Sequence, residues 1–186
     1  MRTRMFLGVA LVAAACGGNP SQSAVPATGA TTPSPPALSA RAQINDAQGQ
    51  SVATATIRET AQGAAIEVTV TKLSPGAHGI HIHAAAKCDG PSFATAGGHF
   101  NPTGKQHGHN NPQGSHAGDL GNLIVAADGT VKAMFTADKV TLKEALPNSL
   151  FGPDGTSLVI HAKEDDEVSD PAGNSGPRIA CGVITR

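Results

Sequence analysis

The sequence contains no tryptophan and no tyrosine, and its only aromatic residues are five phenylalanines. A domain folded from this chain must therefore have an aliphatic core. Charged residues make up only 15% of the chain, and the formal net charge is −1 at pH 7. No cluster of basic residues is present, which argues against nucleic-acid binding. No amphipathic helical pattern indicates docking into a partner's groove.

The first forty residues differ in composition from the rest. Arg2 and Arg4 precede a short apolar run over residues 6–15, which ends in small residues. This is the pattern of an export signal, and the run is too short to span a bilayer. Because Cys16 follows directly, residues 1–15 resemble a lipoprotein signal peptide. We expect Cys16 to carry a lipid that anchors the protein to a bacterial membrane; an ordinary cleaved signal beside an incidental cysteine is the alternative.

The boundary between a tether and a folded domain is placed at residue 40. Residues 16–40 are rich in Pro, Ser, Thr, Gly and Ala and contain too little apolar surface to offset the entropy of ordering, so we predict a disordered tether. Residues 41–186 then form one domain. This domain contains eleven Lys and Arg residues and fourteen Asp and Glu residues, so its formal charge is −3. The export pattern predicts an extracytoplasmic location, in the periplasm or at the cell surface.

Two cysteines remain in the domain, Cys88 and Cys181. An even number of cysteines in an exported chain indicates a disulfide, and two free buried thiols are the alternative. In the chain-entropy model, closing so long a loop stabilises the fold by on the order of 4–5 kcal/mol.

The domain has the pattern of an all-β protein. Short alternating or aliphatic runs predict strands at residues 52–57, 66–70, 120–126, 131–136, 158–162 and 179–184. Glycine-containing turns separate them, and residues 127–130 are predicted to close a hairpin. Residues 141–146 are the one candidate for a helical turn. Many short strands of this kind favour a sandwich or a barrel.

Two long segments, roughly 84–117 and 163–177, lack strand character. Loops of that length inside a compact domain are usually functional. Cys88 lies in the first segment, so a disulfide to Cys181 would fasten this loop to the C-terminal strand.

All eight histidines lie between His78 and His161. Imidazole is the commonest metal ligand in proteins. His81 and His83 project from the same face of an extended strand, so both can reach one ion. His161 stands apart and, taken alone, would be interpreted as a buried, hydrogen-bonded histidine.

A second set of possible ligands lies in the first long segment and directly after it. It consists of His99, His107, His116 and Asp119. A loop rich in glycine and proline can wrap residues at these spacings around one ion, and three nitrogens with one carboxylate make a closed tetrahedral zinc site.

These motifs together resemble those of the copper–zinc superoxide dismutases, in particular the secreted and lipoprotein members from bacteria. They are G-x-H-x-H at 79–83, G-G-H-F-N-P at 97–102, H-A-G-D-L at 116–120, V-I-H at 159–161 and R-I-A-C-G-V-I at 178–184. The resemblance covers residues 41–186. It implies an eight-stranded Greek-key β-barrel or sandwich with two long functional loops. It also implies a superoxide dismutase, an oxidoreductase that uses copper and zinc to convert superoxide to oxygen and hydrogen peroxide in extracytoplasmic defence.

The resemblance further implies a role for individual residues. Copper would be bound by His81, His83, His99 and His161, and zinc by His99, His107, His116 and Asp119. His99 would bridge the metals and carry a proton in catalysis, while Arg178 would guide the anionic substrate. Asp165 would link His81 to His107; the alternative is that Asp165 belongs to the solvated acidic run 164–167.

Other positions differ from the family pattern or lie beside it. His78 is expected to hydrogen-bond backbone near the site, and His109 is surplus to the family's spacing, although it could substitute for His107. Animal members carry lysine and threonine where this chain has Pro171 and Ala172. We therefore expect weaker electrostatic steering from the second loop, with more of it resting on Arg178 and Lys163.

Two rival functions and the oligomeric state stay open at this point. A non-catalytic copper- or zinc-binding protein on the same fold is one rival, and a β-domain stabilised by structural zinc is the other. Bacterial relatives occur as monomers and as dimers, so a homodimer is possible.

Overall fold

The structure is a computed structural model, and it describes residues 38–186. The predicted signal peptide, Cys16 and most of the predicted tether lie outside the described residues. Within residues 38–186, no helix is long and apolar enough to cross a membrane.

Eight antiparallel strands form a nearly closed barrel, which confirms the predicted fold class. The strands are β1 (Ser39–Asp46), β2 (Ser51–Thr60), β3 (Gly63–Val70), β4 (Gly76–His83), β5 (Asp119–Val125), β6 (Val131–Ala137), β7 (Ser157–His161) and β8 (Arg178–Val183). Their hydrogen-bonded order is β5-β4-β7-β8-β1-β2-β3-β6. Strands far apart in sequence are neighbours, as in β4 with β7 and β3 with β6, which is Greek-key connectivity.

The barrel interior is aliphatic, as the shortage of aromatic residues predicts. In β3, Ile66 and Val68 are fully buried, while Glu67 between them is partly exposed. Each isoleucine or leucine buried in this way stabilises the fold by about 1.5–3 kcal/mol. Phe100, Phe135 and Phe151 are partly buried and pack against the margin of this core.

Strand β1 was not among the predicted strands. It begins at Ser39, two residues before the predicted start of the domain. Its inward positions are Ala40, Ala42 and Ile44. Alanine is a weak strand former, so the alternation carries little hydrophobic contrast in the sequence.

The predicted hairpin at residues 127–130 is only partly correct. The turn forms, with Ala126 N–H donating to Thr130 O at 3.0 Å, and Gly129 has a φ of +81°. However, β5 pairs with β4 and β6 pairs with β3, so the two strands joined by this turn stand at opposite ends of the hydrogen-bonded order. The turn therefore connects the two edge strands of the sheet, β5 and β6, which are hydrogen-bonded to other strands and do not form a hairpin with each other.

The helical turn predicted at residues 141–146 does not form. Thr141 instead pairs with Ser149 across a long connection over residues 138–156. The carboxylate of Glu59 accepts hydrogen bonds from Thr141 Oγ1 at 2.8 Å and from Leu142 N–H at 2.7 Å. These donors are therefore satisfied by a side chain on β2 rather than by a helix.

Both predicted long loops are present, at residues 84–118 and 162–177. On β4, Ile80 and Ile82 face the barrel interior while His81 and His83 point the other way, and all four residues are buried. Their burial on both faces of the strand shows that the loops cover the outer face of β4. A disulfide joins Cys88 to Cys181 with Cα atoms 5.6 Å apart, which confirms the predicted pairing and ties the first loop to β8.

Candidate metal centre

Four imidazoles converge outside the barrel wall. One ring nitrogen of each lies within 4.8 Å of the others. The members of this first pocket are His81, His83, His99 and His161. Strand pairing brings them together, because β4 and β7 are adjacent and His99 pairs with His83 through an isolated bridge.

Hydrogen bonds fix the orientation of three of these rings. His83 Nδ1 donates to Gly97 O at 2.9 Å, and His161 Nδ1 donates to Gly176 O at 3.0 Å. His81 uses its other nitrogen, with Nε2 donating to Asp165 Oδ2 at 2.6 Å. A neutral imidazole carries one N–H, so these bonds leave the remaining nitrogen of each ring with a free lone pair.

The free nitrogens all belong to the first pocket and are buried. Within residues 38–186, the buried side-chain nitrogens that lack a hydrogen-bond partner are His81 Nδ1 and Nε2 of His83, His99 and His161. An unsatisfied buried acceptor costs about 1–3 kcal/mol. Four such acceptors directed at one point are the donor set of a metal site, and an all-imidazole set suits copper.

The same burial keeps these imidazoles neutral. It lowers the pKa of His81 to about 3, of His83 to about 2 and of His161 to about 4, all from 6.5. Neutral imidazole is the form that coordinates a metal ion, so at pH 7 no proton competes at these three residues.

A second pocket adjoins the first and is built around one carboxylate oxygen. Asp119 Oδ1 lies 2.9 Å from His99 Nδ1, 3.0 Å from His107 Nδ1 and 3.2 Å from His116 Nδ1. Asp119 Oδ2 accepts the backbone N–H groups of Gly108 and His116, both at 3.0 Å. Three nitrogens and one carboxylate oxygen, all from buried side chains, fit a closed tetrahedral zinc site.

The charge state of Asp119 follows from these contacts. Burial raises its pKa, but hydrogen bonds from His107, His116 and His99 outweigh burial and hold the pKa well below its usual value. The group is therefore a carboxylate, the form that binds a cation.

His99 is shared by the two pockets. Its Nδ1 faces the second pocket and its Nε2 faces the first. One imidazole can therefore bridge two ions once both nitrogens have lost their protons.

Asp165 connects the two pockets by a second route. Oδ2 accepts from His81, and Oδ1 accepts from His107 Nε2 at 3.0 Å. Asp165 is 3% exposed, so it is not part of a solvated acidic run. Burial raises its pKa, but the hydrogen bonds from His107 and His81 outweigh burial and lower the pKa below its ordinary value.

Arg178 lines a cavity of about 410 Å³ next to the first pocket. The cavity is also lined by His83, His99, His161, Pro171 and Ala172. Arg178 Nη1 donates to Phe93 O and Nη2 to Gly97 O, both at 2.6 Å. Burial lowers the pKa of Arg178, yet a guanidinium stays charged in proteins. The result is a fixed cation beside the first pocket.

The two remaining histidines lie outside both pockets. His78 is buried, and its Nδ1 is 2.8 Å from His161 O while its Nε2 is 2.9 Å from Ser74 O. His109 has a side chain that is 47% exposed, with Nδ1 3.3 Å from Glu167 Oε2.

One contact at the second pocket was not predicted. Lys139 Nζ donates to Ser115 O at 3.1 Å and to Ser115 Oγ at 2.7 Å, next to His116. Lys139 follows β6, and no local motif in the sequence relates it to the loop.

The fold and the site together define a β-barrel protein with two adjoining pockets that could each hold a metal ion and that share one histidine. A sequence model described as copper/zinc superoxide dismutase matches residues 51–184. Superoxide dismutase [Cu-Zn] 2 of Aquifex aeolicus (strain VF5) is 46% identical over 148 residues, which cover 79% of this chain and 86% of that protein.

Solved structures agree with this result. A SOD-like protein from Bacillus subtilis has a TM-score of 0.75 at 40% identity, covering 77% of this chain and 96% of that one. The Cu/Zn superoxide dismutase from Brucella abortus has a TM-score of 0.64 at 32% identity, covering 78% of this chain and 99% of that one. The chain belongs to the copper/zinc superoxide dismutase family, whose metals are copper and zinc.

Proposed function

We propose that this chain is a superoxide dismutase that converts two superoxide ions and two protons into oxygen and hydrogen peroxide. The convergence of four buried, partnerless imidazole nitrogens carries the proposal, because a metal ion is the group that satisfies all four. Membership of the family supports it, and so does the fixed cation beside the pocket.

The ligand sets differ in the chemistry they favour. Copper would be held by His81, His83, His99 and His161, and zinc by His99, His107, His116 and Asp119. Copper, when bound, accepts and returns one electron, whereas zinc has no redox chemistry. The first pocket opens toward the cavity, which makes it the place where a small anion would react.

Arg178 and His99 are the residues we assign to catalysis. The Arg178 guanidinium lines the cavity and attracts an anion toward the first pocket. His99 Nε2 faces the same pocket, so it is the atom at which the chain can hold a proton for the substrate. In the metal-free protein, burial is the main cause that lowers the pKa of His99, which favours the neutral ring that a metal ion requires.

The main rival is a non-catalytic metal-binding protein on the same fold. All seven ligand positions are filled in this chain, which favours an enzyme.

The test is dismutation measured together with metal content for the wild type, His161→Ala and the control His109→Ala. We expect His161→Ala to lose activity while it keeps zinc, and His109→Ala to keep both metals and activity. A wild type with full copper and no detectable dismutation would overturn the proposal.

We also propose that the enzyme acts outside the cytoplasm, tethered by a lipid on Cys16, in defence against superoxide there. The export pattern before Cys16 supports this, as does the disulfide, since such bonds persist in oxidising compartments. Fractionation and mass spectrometry of the wild type and Cys16→Ser test it. We expect a lipid-modified, membrane-bound wild type and a released variant; an unmodified, released wild type would contradict the anchor.

A further inference from the structure

A carboxylate on the second loop contacts two residues of the second pocket. Asp170 Oδ1 accepts a hydrogen bond of 2.6 Å from the backbone N–H of His107. The same oxygen lies 3.8 Å from His116 Nε2. That distance is too long for a hydrogen bond but short enough for a direct charge interaction. The Asp170 side chain is 46% exposed, so it reaches the pocket from the solvent side.

The contact falls on the nitrogen of His116 that the metal would not use. His116 Nδ1 faces Asp119 Oδ1 and His99 Nδ1 inside the pocket. When Nδ1 binds a metal, the proton of the ring must sit on Nε2, which faces Asp170. The negative charge of a carboxylate near that outer N–H favours this orientation of the ring and makes the imidazole a stronger ligand.

The second loop supplies a matching contact for the other histidine of this pocket. Asp165 accepts from His107 Nε2 at 3.0 Å, just as Asp170 faces His116 Nε2. Both ligands that belong to the second pocket alone therefore have their outer nitrogens opposite carboxylates of one loop. Asp170 also holds the backbone of His107, so it acts on both ligands at once.

We propose that Asp170 is a positioning residue for the zinc pocket, holding the backbone of His107 and orienting the ring of His116. This inference rests on the proposed function, since it takes the second pocket to bind zinc. The second loop then contributes more than the link made by Asp165. Its carboxylates contact the outer side of both imidazoles that would bind zinc alone.

The zinc affinity of the metal-free full-length protein tests the proposal, measured by competition with a chelator. The variants are Asp170→Ala, which removes both contacts, and Asp170→Asn, which keeps an oxygen for the His107 N–H but loses the charge. Glu164→Gln is the matched control, because it removes one negative charge from an exposed position of the same loop. We expect Asp170→Ala to bind zinc about 10–100-fold more weakly, Asp170→Asn to be intermediate, and Glu164→Gln to stay within about twofold of the wild type.

Cobalt(II) in the zinc pocket gives an independent readout of ligand geometry. Its visible absorption bands should shift in Asp170→Ala and return toward the wild-type positions in Asp170→Asn, while Glu164→Gln leaves them unchanged. If Asp170→Ala does not fold, Asp170→Asn carries the test through the lost charge alone.

The possible failures are distinguishable. Zinc affinities within twofold of the wild type for both Asp170 variants would overturn the positioning role. An equal loss in Glu164→Gln would also overturn it, because net loop charge would then explain the effect. A wild type that binds no zinc would overturn the metal centre itself.

Discussion

His81 Nε2 donates a hydrogen bond of 2.6 Å to Oδ2 of Asp165. The other oxygen of that carboxylate accepts from His107 at 3.0 Å. Because His81 belongs to the first pocket and His107 to the second, one planar group fixes a ring orientation on each side. Gly173 packs so closely against Asp165 that a Cβ there would overlap the carboxylate. The close packing of Gly173 therefore also restricts the position of the Asp165 carboxylate.

Asp165→Asn should weaken both pockets together. The amide keeps one acceptor, but its NH₂ group must face an imidazole N–H, so one of the two rings loses its partner. We expect copper and zinc affinity to fall by about 10–100-fold, measured as the metal content retained against increasing chelator. The exposed neighbour Glu164→Gln serves as the control. Wild-type retention of both metals in Asp165→Asn would contradict the link.

Zinc binding should depend on pH through His107. In the metal-free protein, burial lowers the pKa of His107, but its hydrogen bonds with Asp119 and Asp165 outweigh burial and raise the pKa to about 9. Zinc must therefore displace a proton at pH 7. The apparent affinity should rise about tenfold per pH unit between pH 7 and 9 and then level off. Calorimetric titrations at three pH values measure this, and a flat response would count against it.

The same shift sets a stability trend for the metal-free protein. Because the folded pKa of His107 lies above its ordinary 6.5, its contribution is complete below pH 6.5 and is lost as the pH rises through about 9. The metal-free protein should lose this contribution between those limits, while zinc-loaded protein should not, since the metal replaces the proton. Thermal unfolding at pH 6 and pH 10, with and without zinc, compares the two.

Glu59 should stabilise the barrel end at neutral pH and not in acid. Burial raises its pKa, but hydrogen bonds from Leu142 N–H and Thr141 and the charge of Lys143 outweigh burial and lower it. Its contribution is therefore present above pH 4.5 and is lost as the pH falls through the lowered value. Glu59→Gln should reduce the free energy of unfolding by about 1–3 kcal/mol at pH 7, and the difference should shrink at pH 3. Denaturant unfolding of the wild type and the variant at both pH values measures this difference. An equal loss of unfolding free energy at pH 3 would exclude the ionic explanation.

Electrostatic attraction of the substrate should rest largely on Arg178. The cavity beside the first pocket carries Pro171 and Ala172 on its second-loop side, and neither is charged. We expect kcat/KM to fall with ionic strength in the wild type, and Arg178→Ala to be at least about tenfold slower with a much flatter salt dependence. Arg58→Ala, exposed on β2, is the control and should keep the wild-type slope. A steep salt dependence that persists in Arg178→Ala would refute this assignment.

The sequence predicted more of the architecture than of the contacts that complete the site. Short alternating or aliphatic runs located six of the eight strands. They missed β1, whose inward residues are mostly alanine, and β4 was expected only as the extended strand that carries His81 and His83. Spacing brought His81 and His83 together, yet only strand pairing explains why His161 joins them. The bonds of Glu59 to Thr141 and of Lys139 to Ser115 join side chains to partners far along the chain, and no local pattern encodes such pairs.

The disulfide fastens the two chain segments that meet at Arg178. Phe93 and Gly97, whose carbonyls hold the guanidinium, follow Cys88 in the first loop, while Arg178 itself precedes Cys181 on β8. A thiol reductant that opens this bond leaves the donor strand and the acceptor loop joined by non-covalent contacts alone. Within the described residues, the disulfide is therefore a covalent link between the strand that carries the guanidinium and the loop whose carbonyls hold it.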